Sequence, residues 1–136
     1  FIKGAWATGE RTLLEQRFGL LVQWYSMGEG FTWETQDRAR DVAAARAAWS
    51  RAVALMAQDD LALLVLDEIN VALRYEYLPE HEVVTALRSR RPSLHVVATG
   101  RNARPSLLEA ADLVTEMTAV KHHFAAGVKA QEGIEF

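Results

Sequence analysis

Two charged signals, each placed directly after an apolar run, mark where this sequence could do chemistry. Asp67 and Glu68 follow Leu61–Leu66, six consecutive apolar residues with no polar face. Such a run reads as a strand buried on both sides of a parallel sheet, and carboxylates at its exit can hold a magnesium ion on a nucleotide phosphate. An acid there can equally be the N-cap of the next helix, with Asp67 capping Ile69–Tyr75, and both readings stand on the residues alone. Arg101 follows the apolar run Leu94–Thr99 and Gly100. It is either a phosphate clamp, brought close by a glycine that lets backbone approach a ligand, or a surface arginine paired with an acid. Lys3 stands after Phe1–Ile2, which reads as the end of a further strand. Phe31 and Trp33 lie in Met27–Thr35, a segment with two glycines and no periodicity. They either plug the edge of the core or form an apolar lid that closes over a flat ligand and excludes water. His122 and His123 are adjacent; on a helix neighbouring side chains point about 100° apart, so the pair is a poor chelate for one metal and reads as a polar rim.

Positioning these groups requires a core, and composition supplies one. With 136 residues, 50% hydrophobic and 24% charged, the chain reads as one soluble domain. A net charge of -3, with bases interspersed among acids, argues against a nucleic-acid partner. The absence of cysteine excludes disulfides and thiolate metal sites and fits a reducing cytoplasm. No apolar run is long enough to cross a bilayer, and neither a signal peptide nor a membrane partner is expected. The sequence opens on a strand end without an initiator methionine, which predicts that the natural protein extends further toward its N-terminus.

The elements follow from periodicity. Helices are expected over Glu10–Phe18, with Leu13, Leu14 and Phe18 inward, and over Asp37–Ala57, with Val42, Ala45, Trp49, Ala52, Val53 and Met56 as the apolar stripe. Shorter helices are expected over Ile69–Tyr75, carrying Val71, Ala72 and Tyr75, from Pro79 onward with Val83, Val84 and Leu87 inward, and over Pro105–Ala111. Arg88, Arg90 and Arg91 read as the solvated end of the Pro79 helix. Strands are expected at Phe1–Ile2, Leu20–Trp24, Leu61–Leu66, Leu94–Thr99 and Leu113–Glu116, with a glycine-punctuated tail over Gly127–Phe136. This alternation predicts an α/β fold, a mainly parallel sheet with helices on both faces and right-handed crossovers. Loops after the strands then share one edge, where Lys3, Glu68 and Arg101 can surround a single polyanion with its magnesium.

Seven segments fall in one order: FIKG-x-W-x-x-GE at Phe1–Glu10, GFTWET at Gly30–Thr35, LDE at Leu66–Glu68, RYEYL at Arg74–Leu78, TGR at Thr99–Arg101, ADLVTEM at Ala111–Met117 and KHHFAAGVKAQEGIEF at Lys121–Phe136. In this series the sequence resembles the ATP:corrinoid adenosyltransferases of the cob(I)yrinic acid a,c-diamide adenosyltransferase type, over essentially the whole chain. The resemblance implies a P-loop NTPase-like fold in a homodimer, with residues 1–136 as a single domain lacking its N-terminal strand and phosphate loop. No G-x-x-x-x-G-K-[ST] occurs here, and the resemblance places that loop upstream of Phe1.

The activity implied is transfer of the 5′-deoxyadenosyl group of ATP to the cobalt of a corrinoid, releasing triphosphate, with a reduced flavoprotein as electron donor. By the same resemblance Phe31 and Trp33 bind the corrinoid and serve catalysis, pressing on its lower face to displace the axial ligand. Glu68 matches an acid near the ATP magnesium; Arg101 and His122 match positions near the nucleotide, joining Lys3 in triphosphate binding. Two alternatives have their own signatures. A different P-loop nucleotide hydrolase would share Asp67, Glu68 and Arg101 but have no use for the aromatic pair. A noncatalytic corrinoid- or nucleotide-binding module would natively lack the phosphate loop.

Overall fold

A computed structural model describes residues 1, 9–28 and 37–129. Its contacts divide the chain into two compact units, Phe1–Ala5 with Ser26–Asp112 and Trp6–Tyr25 with Leu113–Phe136.

In the second of these, α1 (Gly9–Phe18) carries an Arg11–Glu15 ion pair at 2.9 Å, one turn apart. The expected apolar stripe is not buried: Leu13 is 56% and Phe18 48% exposed. Leu20–Trp24 and Leu113–Glu116, expected as strands, are turn and irregular backbone. Among the described residues of this unit neither finds a ladder partner, and a short apolar run without one has no reason to stay extended. A short 3-10 helix, His123–Ala126, ends at Gly127 in the left-handed region, φ 78°. The tail beyond Lys129 lies outside the described residues.

The other unit holds the core. Asp37 starts α2 (Arg38–Met56): its Oδ1 accepts from the amides of Ala39 at 3.1 Å and Arg40 at 3.2 Å, satisfying donors that the first turn leaves free. The buried face is Ala45, Ala48, Trp49, Ala52, Leu55 and Met56. Val53, expected on that face, is 42% exposed, because it sits one residue, about 100°, around the helix from Ala52.

Strands β1 (Leu63–Leu66) and β2 (His95–Ala98) pair in parallel, with Leu63 opposite His95 and Leu66 opposite Ala98. Leu64 and Leu66 join the α2 face in one apolar cluster, whereas Leu63 and Val65 stay half exposed. Burial on both sides of this strand was expected; the pleat instead turns alternate residues away from the cluster. The sheet of the described residues has two strands. The parallel α/β pairing is therefore present, in a smaller sheet than the alternation implied.

Two short helices, α3 (Ile69–Arg74) and α4 (Glu80–Arg88), cross from β1 to β2. Val83, Val84 and Leu87 are buried as the spacing required, with Ile69, Ala72 and Leu73 beneath them. Tyr75, expected inside, is 40% exposed, and Tyr77 is the buried tyrosine. Pro79 is the N-cap of α4 and not its first helical residue. The basic run after α4 is a set of clamps and not simply a solvated end. Arg90 donates to the carbonyl oxygens of Leu87 at 2.9 Å and Leu94 at 3.2 Å and pairs with Asp112. Arg91 donates to the Leu61 carbonyl and the Ser93 hydroxyl. The bond to Leu87 satisfies a carbonyl that the helix end leaves open, and those to Leu94 and Leu61 tie down the segments that lead into β2 and β1. The last helix, α5 (Pro105–Ala110), has Pro105 in its first turn and lies against α4, with Ser106 bonded to Glu80. No helix among the described residues is long and apolar enough to cross a membrane.

Candidate functional site

The register of β1 and β2 sets their exits side by side. Leu66 and Ala98 are partners, so Asp67–Glu68 and Thr99–Gly100–Arg101 leave the sheet together. Four hydrogen bonds through Thr99 join the two exits. Its amide donates to the Leu66 carbonyl at 3.2 Å and its carbonyl accepts from the Asn70 amide at 3.2 Å. Its hydroxyl accepts from the Glu68 amide at 3.0 Å and donates to Asp67 Oδ1 at 2.9 Å. A fifth bond, from Asn70 Nδ2 to the Gly100 carbonyl at 3.0 Å, ties the start of α3 to the residue before Arg101.

Backbone conformation at these exits is unusual. Glu68 is left-handed, φ 61° and ψ 21°, a region that costs a non-glycine residue about 1–2 kcal/mol. It is the N-cap of α3, yet its side chain makes no capping bond. The Asp67 carboxylate is likewise turned to Thr99 and not to the helix, so the capping reading of Asp67 does not hold. Gly100 has φ 122°, and a Cβ there would stand 2.9 Å from the Asn70 Cβ and 3.4 Å from the Glu68 Cα. Only a residue without a side chain lets the β2 exit lie this close to the β1 exit.

Of the candidates named from sequence, Glu68 and Arg101 are thus brought to one edge, Glu68 half-buried and Arg101 exposed. His122 belongs to the other unit. Its Nδ1 accepts from the Phe124 amide at 3.1 Å, capping the 3-10 helix, and its ring stacks on His123 with centroids 4.6 Å apart. Stacked rings do not converge on one metal, in line with the polar-rim reading. Lys3, Phe31 and Trp33 lie outside the described residues.

Thr99 and Asn70 were not singled out as site residues by sequence reasoning. Their signal was position alone: a hydroxyl as the last residue of an apolar run, and an amide two residues after the acids. No group of three or more metal-ligating side chains gathers among the described residues. Magnesium does not need one, since it binds through one or two carboxylates together with water and substrate phosphates. The hard oxygen donors of Glu68 and Asp67 fit that requirement.

A parallel strand pair with helices between its strands places the chain among α/β proteins, whose open sheets commonly bind ligands at the strand exits. Comparison with known proteins narrows that class. The model of the family ATP:corrinoid adenosyltransferase BtuR/CobO/CobP matches residues 1–136, and the chain belongs to this family. It is 58% identical to a corrinoid adenosyltransferase of Sinorhizobium sp over all of this chain and 64% of that protein. Against the Pseudomonas aeruginosa corrinoid adenosyltransferase the identity is 54%, over all of this chain and 66% of the relative. Against that of Escherichia coli K12 it is 46%, over all of this chain and 68% of the relative. The chain therefore spans about two thirds of the length of these relatives.

Proposed function

We propose that the protein containing this chain transfers the 5′-deoxyadenosyl group of ATP to the cobalt of a reduced corrinoid. Cob(I)yrinic acid a,c-diamide, cobinamide and cobalamin are the acceptor class. The family match over residues 1–136 carries this reading. In the transfer the Co(I) electron pair attacks the ribose C5′, the cobalt–carbon bond forms, the C5′–O bond breaks and its electrons leave with triphosphate. A metal nucleophile of this kind takes no proton from a base, so the protein contributes mainly positioning and charge stabilisation.

Within that scheme Glu68 holds the ATP magnesium, directly or through water, and the bound ion supplies charge neutralisation at the triphosphate. Arg101, on the neighbouring strand exit, faces the same phosphates as a fixed cation, with Lys3 and His122 as further nucleotide contacts. Phe31 and Trp33 press on the lower face of the corrin, displace its axial ligand and exclude water, which eases reduction to Co(I). The parallel strand pair supports a P-loop NTPase-like fold. A homodimer, a reduced flavoprotein as electron donor and a cytoplasmic location complete the reading.

The test uses the full-length protein with ATP, magnesium and chemically reduced corrinoid. Formation of the light-sensitive cobalt–carbon bond, with triphosphate as the co-product in equal amount, is the expected result. Corrinoid-independent release of orthophosphate would instead identify a nucleotide hydrolase, and corrinoid binding without turnover a noncatalytic module.

A further inference from the structure

We propose that Thr99 is a positioning residue that sets the Glu68 carboxylate for the nucleotide's magnesium; the inference rests on the function proposed above. Three features of the strand exits carry it. Glu68 sits in the left-handed region, φ 61°, which few non-glycine residues occupy. Its side chain makes no capping bond to α3, so the helix it precedes gives no account of that conformation. The Thr99 hydroxyl accepts the Glu68 amide and donates to Asp67 Oδ1, bonding to both acidic residues at once.

A single hydroxyl that accepts on one side and donates on the other fixes both the turn of the backbone and the rotation of the neighbouring carboxylate. Removing it frees the Glu68 amide and the Asp67 carboxylate together. Asn70 completes the arrangement on the far side, with its amide bonded to the Thr99 carbonyl and its Nδ2 to the Gly100 carbonyl. Its Oδ1 is buried without a hydrogen-bond partner, in a residue only 5% exposed.

The experiment measures magnesium-dependent ATP binding and steady-state kinetics in the full-length enzyme. Thr99→Val keeps the shape of the side chain and removes both bonds. It is expected to raise the magnesium concentration for half-maximal ATP binding at least fivefold, with the corrinoid KM unchanged. Thr99→Ser, which keeps the hydroxyl, is expected to stay within twofold of the parent. In Thr99→Val with Glu68→Gln, the magnesium requirement should be no higher than in Glu68→Gln alone, because Thr99 acts through Glu68. Thr99→Ala, which also lacks the hydroxyl, serves if the valine variant does not fold. A shift from Glu68→Gln with none from either hydroxyl-less variant overturns the role of Thr99 and leaves that of Glu68 standing. No shift from Glu68→Gln itself overturns both. Fully additive effects, or equal loss in the serine variant, assign Thr99 a structural role only and also overturn the proposal.

Discussion

Asn70 and Gly100 stand against one another 30 residues apart in sequence, joined by the bond from Asn70 Nδ2 to the Gly100 carbonyl at 3.0 Å. The contact is tight enough that the missing side chain at residue 100 is part of the design: an added Cβ would meet the Asn70 Cβ at 2.9 Å. Parallel pairing brings the two strand exits level, and this contact keeps the loops beyond them level as well. It keeps Glu68 and Arg101 at one edge of the sheet.

Gly100→Ala tests that relationship. The substitution forces a side chain into φ 122° and against Asn70, so it should lower stability by about 1–3 kcal/mol, the usual cost of a strained backbone position. Denaturant titration of the full-length protein measures this as a fall in midpoint at constant slope. ATP affinity should fall as well, since Arg101 follows directly. An unchanged midpoint would show that the exits have room to spare.

Asp37→Ala removes both bonds that start α2. A loss of about 1 kcal/mol is expected, with Asp37→Asn close to the parent because asparagine caps equally well. Thermal melts of the three proteins side by side decide it, and equal melting temperatures would mean that α2 is held by its packed face alone.

Tyr77 gives the fold a pH response. Burial raises its phenol above the ordinary value of 10.0, and the charge of Asp41 and the hydrogen bond to it act in the same direction; the Arg38 guanidinium, 5.5 Å from the ring centre, opposes them. The folded state therefore favours the neutral phenol. Its stabilising contribution is fully present below pH 10 and is lost as the pH rises through the raised folded value. Tyr77→Phe should cost about 1 kcal/mol at neutral pH through the lost bond. The gap between the two proteins should then narrow above pH 10. A gap constant from pH 8 to pH 11 would contradict the assignment.

How much of this was legible in the sequence depends on the range of the forces involved. Helices α2 and α4 were readable because their apolar spacing, the cap at Asp37 and the proline before Glu80 are all local. β1 and β2 were readable as apolar runs, and the prediction that their exits share an edge followed from parallel connection. What sequence could not provide was pairing: Leu20–Trp24 and Leu113–Glu116 look no less strand-like than Leu94–Thr99, and only the presence of a ladder partner separates them. Leu63 and Val65 were assigned inside because a continuous apolar run says nothing about which faces are covered. At the site, the charges at 68 and 101 were visible from residue type. Thr99 and Asn70 act by a single hydroxyl and a single amide, which have no periodicity to reveal them.

The aromatic pair makes the sharpest claim on mechanism. If Phe31 and Trp33 serve to remove the lower axial ligand, their loss should matter most where cobalt must still be reduced, and least where Co(I) is supplied ready-made. The Phe31→Ala, Trp33→Ala double variant of the full-length protein should therefore bind ATP normally. Its rate should fall tenfold or more with Co(II) corrinoid and a reductant, each tenfold being about 1.4 kcal/mol of barrier, and much less with chemically generated Co(I). Four-coordinate Co(II) should also disappear from its electron paramagnetic resonance spectrum in the presence of ATP. Equal losses in the two assays would assign the pair to general corrinoid binding or to core packing, since neither of those distinguishes one oxidation state from the other.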